Sequence, residues 1–177
     1  MERKTITLNL NVKKILPDLL WVLKARSNDA NRYVLKYLNI DDTGYCCTDS
    51  RRVHFCKSKE NLPQGLENGL YDVIIAKDII IFNPAEGTFP DYKSVIPADS
   101  EKVLKVHLLK PNMADLSIAI INIAIKTQES KAGVNIEFVK DLSGYSWDVM
   151  GNGEGKPIKC ISDNLLAILM PLRINKE

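Results

Sequence analysis

The sequence has no long hydrophobic run and almost no net charge. It is also poor in aromatic residues, at 7%, and has only two histidines. A membrane-spanning helix needs about 20 consecutive apolar residues, and no stretch of the 177 residues approaches that length. Residues 1–8 have polar residues after Met1 and alternate polar and apolar side chains from Thr5 onward, whereas a signal peptide would contain an uninterrupted apolar segment. The sequence therefore predicts a cytoplasmic protein without a membrane partner.

The charge balance limits how this protein could hold DNA. Lys and Arg number 24 against 22 Asp and Glu, so the formal net charge is only +2. Affinity for DNA comes mainly from neutralising phosphates, and proteins that rely on it usually have a marked basic excess. Tight DNA binding by a single copy is therefore disfavoured, although a local basic stripe is compatible with this composition.

Catalytic and metal-binding patterns are also scarce. The four cysteines include no Cys-x-x-Cys pair, which favours reduced thiols over a disulfide framework. His54 and Cys56, together with Cys46 or Cys47, would suit one strand face, but a fourth metal ligand is not evident. Neither His54 nor His107 lies near an acid and a nucleophile in the sequence. We therefore expect no catalytic residues, no metal and no cofactor, and hence a protein that is not an enzyme.

A glycine-rich segment, residues 151–155, has the spacing Gly-x-Gly-x-Gly. A phosphate-binding loop needs such glycines between a strand and the first turn of a helix. Here strand patterns lie on both sides, so the segment predicts a hairpin loop.

The first half of the chain predicts one helix and several strands. Apolar residues alternate over 5–11, and a helical spacing follows, with the helix beginning near Leu16 and Pro17 in its first turn. Strands are predicted at 33–40, 45–48 and 52–57, with a turn at 41–44. Residues 71–82 predict a strand to Ala76 and then a short helical piece at 79–81.

The second half repeats this order. Three prolines mark an extended connector, and a strand at 103–108 precedes a helix at 111–125. Strands then follow at 134–138, 145–149 and 157–162, and a final apolar run at 165–174 is interrupted by Pro171. The fold class is thus α+β, with two pseudo-repeated halves that each pack one helix on an antiparallel sheet. We expect one domain over 1–177, with a first half at 1–82, a connector at 83–102 and a second half at 103–177.

Three short segments carry a resemblance to a known family. They are Thr48-Asp49-Ser50-Arg51-Arg52-Val53, residues 89–97 with the sequence Phe-Pro-Asp-Tyr-Lys-Ser-Val-Ile-Pro, and Leu169-Met170-Pro171-Leu172-Arg173-Ile174. They resemble segments of the bacterial β sliding clamp, the DNA polymerase III β subunit, and occur in the family's order. The connector segment is the most specific match. The chain therefore resembles a shortened, single clamp-type domain.

This resemblance implies a hydrophobic cleft that binds short peptide motifs of DNA polymerases and the clamp loader. Met, Leu, Val and Pro suit an adaptable apolar surface, and an arginine at its rim can bind peptide carbonyl or carboxylate groups. The residues implied for the cleft are Thr48, Ser50, Arg52, Val53, Pro90, Val95, Met170, Pro171, Leu172 and Arg173. From the residues alone, Met170, Leu172 and Ile174 equally fit an ordinary last core strand.

The resemblance also implies non-specific contact with double-stranded DNA. On the first helix and its flanks, the basic residues suited to phosphate contacts are Lys13, Lys14, Lys24 and Arg26. Family chains are about twice as long and form rings of six domains, so one such domain cannot encircle DNA, whereas a homo-oligomer of six copies could. Ser50 replaces the family's usual glycine, and Arg51 its histidine.

Two functions follow as hypotheses. The first is a clamp-like DNA-replication accessory of the processivity-factor type that binds peptide motifs and assembles around DNA. The alternative is a regulatory or decoy clamp homologue that binds a replication protein without encircling DNA. The low charge of the second helix favours the alternative.

Overall fold

The computed structural model describes residues 4–9, 16–76, 79–101, 103–129 and 132–173. The chain divides into two compact units, Met1–Asp91 and Tyr92–Glu177, called unit 1 and unit 2 below. Lys13 and Lys14 lie outside the described residues, as does Ile174.

Unit 1 contains one antiparallel arrangement of strands with a helix packed on it. Its elements are β1 (Ile6–Asn9), α1 (Pro17–Leu23), a 3-10 helix (Ala30–Lys36), β2 (Leu38–Asp41), β3 (Gly44–Thr48), β4 (Arg52–Cys56), β5 (Gly69–Ile75) and β6 (Ile79–Ala85). The strands are hydrogen-bonded in the order β1-β6-β5-β2-β3-β4. In the β3–β4 hairpin, Tyr45 lies opposite Cys56 and Thr48 opposite Val53.

Helix α1 begins as the sequence predicts, with Pro17 in its first turn, where a missing N–H costs nothing. It buries Leu19, Trp21, Val22 and Leu23 and packs against β3 and β4. The helix therefore covers the strands that carry the first candidate segment.

Unit 2 repeats the order of strand, helix and antiparallel strands. Its elements are a 3-10 helix (Tyr92–Val95), β7 (Val103–His107), α2 (Met113–Gln128), β8 (Ala132–Gly133), α3 (Ile136–Asp141), β9 (Ser146–Gly151), β10 (Ile158–Ser162), β11 (Leu165–Leu169) and β12 (Leu172–Arg173). Four strands pair in the order β11-β10-β9-β7, and β12 pairs with β8. Helix α2 packs against β7 and β9.

A complete capping box fixes the start of α2. The Asn112 side chain accepts hydrogen bonds from Ala114 N (2.8 Å) and Asp115 N (3.0 Å), and Asp115 Oδ2 accepts one from Asn112 N (2.9 Å). The helix buries Leu116, Ala119 and Ile123. The opposite side of the helix remains exposed.

The predicted α+β class, with a helix on an antiparallel sheet in each half, is confirmed. One predicted strand is wrong at its start, because residues 30–36 form a 3-10 helix and only Leu38–Asp41 is extended. The Asp29 side chain caps this 3-10 helix by accepting a hydrogen bond from Asn31 N at 2.9 Å. Asp29 therefore starts a helix inside a segment rich in residues that favour strands.

Two further elements differ from the predictions. Residues 79–81 are not helical, because they belong to β6, which pairs with both β1 and β5. The predicted strand at 134–138 is wrong, because α3 begins at Ile136 after the Asn135 side chain accepts a hydrogen bond from Glu137 N at 2.9 Å. Phe138, Val139 and Leu142 are then buried at a helical spacing.

Candidate functional site

The turn between β3 and β4 carries the first group of candidate residues. Asp49 Oδ1 accepts hydrogen bonds from Arg51 N (2.9 Å) and Arg52 N (3.0 Å). Thr48 Oγ1 donates to Arg52 O (2.7 Å) and accepts from Ser50 N (3.1 Å). These four bonds close the turn on both sides, so its side chains are held in fixed directions.

Ser50 adopts a left-handed backbone conformation, with φ of 74°. This region favours glycine, the residue that the sequence resemblance implies for this position. The Ser50 side chain is exposed, and its Oγ accepts a hydrogen bond from Arg32 Nη1 at 2.7 Å. The chain thus keeps the turn geometry while adding a hydroxyl group to the surface.

Arg52 is the most constrained of these residues. Its Nε lies 3.0 Å from Asp49 Oδ2, and the two side chains are only 14% and 19% exposed. Its Nη2 donates to the carbonyl oxygen of Lys24 at 2.8 Å. Asp49 and the end of α1 therefore position a guanidinium group, which suits recognition of carbonyl or carboxylate groups.

Thr48 and Val53 are buried, at 5% exposure each. They support the turn from below, while Ser50 and Arg52 reach its surface. Of the four residues in this turn that were predicted for the cleft, the structure thus exposes Ser50 and leaves Arg52 partly exposed. Pro90, near the end of unit 1, is also exposed.

In unit 2, an apolar surface follows the last buried strand. Every residue of β11 is buried, but Met170 is 37% exposed and Leu172 is 48% exposed. Leu172 lies opposite Gly133 in the short β12–β8 pair, and Arg173 lies opposite Ala132. Met170 and Leu172 are therefore not members of an ordinary core strand, which ends at Leu169.

Val95 is a further exposed apolar residue in unit 2. It is the last residue of the 3-10 helix that follows the Phe89–Asp91 segment, and it is 40% exposed, whereas Tyr92 at the start of that helix is buried. The connector therefore presents Val95 on a short helical turn, although an extended conformation was predicted.

The predicted DNA-contact residues differ in how available they are. Lys24 is exposed at the end of α1. Arg26 is half-buried, and its guanidinium donates to Val73 O (2.8 Å) and Leu23 O (3.3 Å). Arg26 therefore holds the backbone of its own unit, and Lys24 is the more accessible cation.

An exposed apolar stripe on α2 was not predicted from the sequence. Ile118, Ile121 and Ile125 are 58%, 57% and 49% exposed. Their spacing of three and four residues places them on one helix face. That spacing is visible in the sequence, but periodicity does not show which of two apolar helix faces is buried.

The histidine and cysteine pattern in unit 1 is part of the core. His54 Nδ1 lies 3.0 Å from the carbonyl oxygen of Trp21, and the two rings stack at 4.2 Å with an interplanar angle of 4°. Burial lowers the pKa of His54 to about 3, and it raises the pKa of Cys160 to about 12. Across the residues that the structure describes, no group of three or more potential ligands could hold a metal ion.

Unit 2 also has an open depression of about 500 Å³ lined by residues that include His107, Ser146 and Asp148. His107 Nδ1 lies 3.0 Å from Ser146 Oγ. Asp148 is instead paired with Lys105, at 3.5 Å between Oδ1 and Nζ. In a catalytic triad, a carboxylate orients the histidine that activates the serine. Here Asp148 is paired with Lys105, so His107 and Ser146 do not form such a triad with it.

Within the described parts of the chain, no helix has both the length and the apolar character that crossing a membrane requires.

The repeated order of strand, helix and antiparallel hairpins defines the fold as that of a DNA clamp. It matches solved structures of bacterial DNA polymerase III β sliding clamps. The clamp of Bacillus subtilis matches with a TM-score of 0.61 and 17% identity, and the alignment covers 98% of this chain and 65% of that one. The β chain from Streptococcus pneumoniae TIGR4 matches with a TM-score of 0.63 and 12% identity, over 98% of this chain and 66% of that one.

A third match is the C. crescentus β sliding clamp, whose structure has PEG bound at its proposed β-motif tethering region. Its TM-score is 0.62 at 15% identity, over 97% of this chain and 65% of that one. The chain thus spans less than two thirds of the length of these clamps. No protein-family model and no curated protein matches the sequence significantly. The resemblance seen in the sequence is therefore confirmed at the level of the fold.

Proposed function

We propose that this protein is a clamp-like DNA-replication accessory that binds short hydrophobic peptide motifs of replication proteins, such as those of a polymerase or a clamp loader. Its place of action would be the cytoplasm. Unit 1 would contribute Arg52 and Ser50, with Thr48, Val53 and Pro90. Unit 2 would contribute Val95, Met170, Pro171, Leu172 and Arg173.

The observation that carries this proposal is the combination of the clamp fold with two prepared surfaces. The β3–β4 turn holds Arg52 through Asp49 and the Lys24 carbonyl, so little side-chain entropy would be lost on binding. Met170 and Leu172 are exposed directly after a fully buried strand. On the unit 2 surface, an apolar anchor of a peptide would bury Met170 and Leu172. On the unit 1 surface, Arg52 would bind a carbonyl or carboxylate group of a peptide.

A second candidate function is supported by α2. Its exposed stripe is made of isoleucines, whereas a helix that faces DNA needs lysine or arginine to neutralise phosphates. The protein would then bind a replication protein through the same surfaces without encircling DNA.

The proposal is tested by titrating a fluorescent peptide that carries a clamp-binding motif, with polarisation as the readout. We expect saturable binding, and we expect Met170→Ala to weaken it about tenfold, since one apolar anchor is worth about 1–2 kcal/mol. Arg52→Ala should weaken it by a similar factor.

Met113→Ala is the matched control, because Met113 is also an exposed methionine, at 59%, but lies at the start of α2. This variant should bind the peptide as the unmodified protein does. Absence of binding, or equal losses in Met170→Ala and Met113→Ala, would refute the peptide-binding role.

A further inference from the structure

Residues on the exposed face of α2 occupy positions that pair with one another when the helix is turned end for end. Ile118 and Ile121 are equally far from the point between residues 119 and 120, and so are Ala114 and Ile125. An antiparallel second helix would therefore place isoleucine beside isoleucine and the small Ala114 beside the large Ile125. Such an arrangement is the isologous contact of a two-fold dimer.

The charges of the helix fit this arrangement approximately, because Asp115 and Lys126 lie on opposite sides of that point at distances that differ by two residues, or about 3 Å along the axis. Asp115 and Lys126 are the two charged residues within Met113–Gln128, and at 100° per residue they lie on the same flank of the isoleucine stripe. A two-fold axis perpendicular to the helix keeps that flank on one side of the pair. Asp115 of one copy would then lie beside Lys126 of the other, twice per dimer.

The flanking residues extend this complementarity. Lys110 precedes the helix and Glu129 follows it, and both are exposed. Their positions are also equidistant from the point between residues 119 and 120. Lys110 of one copy would therefore lie opposite Glu129 of the second copy. A parallel pair related by a two-fold axis would instead place the charged flanks of the two copies on opposite sides, where these ion pairs could not form.

We propose that the exposed face of α2, namely Ala114, Ile118, Ile121 and Ile125 with Asp115 and Lys126 at its side, is the contact surface of an antiparallel homodimer. The helix is about 24 Å long, so the buried area would fall at the small end of specific interfaces. We therefore expect a dissociation constant on the order of 10 μM. The isoleucines would supply the affinity, and the exposed ion pairs would fix the orientation.

Sedimentation velocity of the full chain over a range of concentrations around this value tests the proposal. The unmodified protein should pass reversibly from its monomer mass of 19.9 kDa to twice that mass. Ile118→Lys should remain a monomer, because the two-fold axis would bring two buried lysines close together. Since Ile118 is exposed in the single chain, this variant should fold normally.

Val103→Lys is the matched control, because Val103 is an exposed β-branched residue, at 49%, on the outer strand β7. This variant should dimerise as the unmodified protein does. A protein that stays monomeric throughout, a dimer insensitive to Ile118→Lys, or one broken by Val103→Lys instead would overturn the proposal.

Charge exchange tests the antiparallel orientation. Lys126→Glu alone and Asp115→Lys alone should each dimerise about tenfold more weakly, because like charges would meet at both ends. An equimolar mixture should recover the dimer, since each contact would then join opposite charges. Failure of the mixture to recover, with both variants folded by circular dichroism, would rule out this orientation.

The dimer proposal and the peptide-binding proposal can fail separately. Ile118→Lys should bind the fluorescent peptide normally, and Met170→Ala should dimerise normally. A dimer without peptide binding would leave the α2 contact intact while refuting the proposed function.

Discussion

Ser50 shows how one residue can preserve a turn while departing from the residue that the geometry favours. Its φ of 74° places a Cβ atom in a backbone region that glycine occupies without cost. The surrounding bonds from Thr48 and Asp49 hold the turn in this shape regardless. The strain of the left-handed conformation, on the order of 1–2 kcal/mol for a residue with a side chain, is therefore carried by the rest of unit 1.

We predict that Ser50→Gly raises the free energy of unfolding by about 0.5–1 kcal/mol, because glycine relieves this strain. Ser50→Ala keeps the Cβ atom but removes the hydroxyl that accepts from Arg32, so it separates the two effects. It should be slightly destabilising. Urea denaturation of the three proteins measures the difference, and a Ser50→Gly variant less stable than Ser50→Ala would contradict the strain argument.

At the same scale, the sequence predicts part of the candidate site. The resemblance assigns Arg52 to the peptide-binding cleft, and the structure adds what holds it, namely the Asp49 carboxylate and the Lys24 carbonyl. The Lys24 carbonyl could not have been predicted, because a distance of 28 residues separates it from Arg52 and only the packing of α1 on β4 brings them together. Arg26 shows the opposite case, a basic residue whose sequence suggests phosphate contact but whose guanidinium binds backbone oxygens.

At the scale of elements, the end of α2 lies too close to β9 for a side chain at Gly151 to fit between them. A Cβ atom added to Gly151 would lie 2.3 Å from Thr127 Cβ and 2.9 Å from Thr127 O. Thr127 is buried, and its Oγ1 donates to Ile123 O at 2.7 Å inside the helix. Glycine at this position therefore sets the distance between the helix and the strands beneath it.

We predict that Gly151→Ala destabilises the protein by about 2–3 kcal/mol, since either the helix or the strand must move to admit the methyl group. Gly133→Ala is the matched control, because its added Cβ would meet Leu172 Cβ at 3.5 Å, an ordinary contact. The control should change stability by less than about 1 kcal/mol. Thermal or urea unfolding compares the two, and equal losses would show that α2 and β9 are not rigidly held.

Elements with a long apolar periodicity were predicted, whereas a short helix set by one capping residue and a strand set by distant pairing were not. Helix α2 has a capping residue and a long apolar periodicity, so its position follows from the sequence. Helix α3 is six residues long, and its apolar residues also fit a strand, so only the cap at Asn135 distinguishes the two. Residues 79–81 are three consecutive isoleucines, and their partners in β1 and β5 lie far away in the chain.

At the scale of the whole molecule, the fold could be predicted from three short segments, although identity to the matched clamps is only 12–17% for the three described above. Short segments keep their residues where a turn or an exposed surface requires them, while a core tolerates many apolar exchanges. Assembly could not be predicted in this way, because it depends on which faces remain exposed after folding. The isoleucine stripe of α2 is such a face, and it bears directly on how the protein would meet DNA.

We predict that the protein associates with double-stranded DNA weakly and in a strongly salt-dependent manner. In the described part of α2 the one basic residue is Lys126, and the guanidinium of Arg26 is bonded within unit 1. Few phosphates can then be neutralised, so binding should be detectable at low ionic strength and lost near physiological salt. Fluorescence anisotropy of a labelled duplex measures this, with Lys24→Glu expected to reduce the remaining binding.

Encirclement requires a different measurement, because a closed ring is retained on DNA by topology and not by affinity. Gel filtration of the protein with a nicked circular plasmid, before and after linearisation, separates the two cases. If α2 pairs with a second copy or a partner protein, its isoleucines are covered, and the protein should be absent from the plasmid fraction in both samples at physiological salt. If the protein stays bound to the circular plasmid and is lost when the plasmid is cut, it forms a closed ring around DNA. The isoleucines on the exposed face of α2 would then line the channel and lie next to the DNA phosphates.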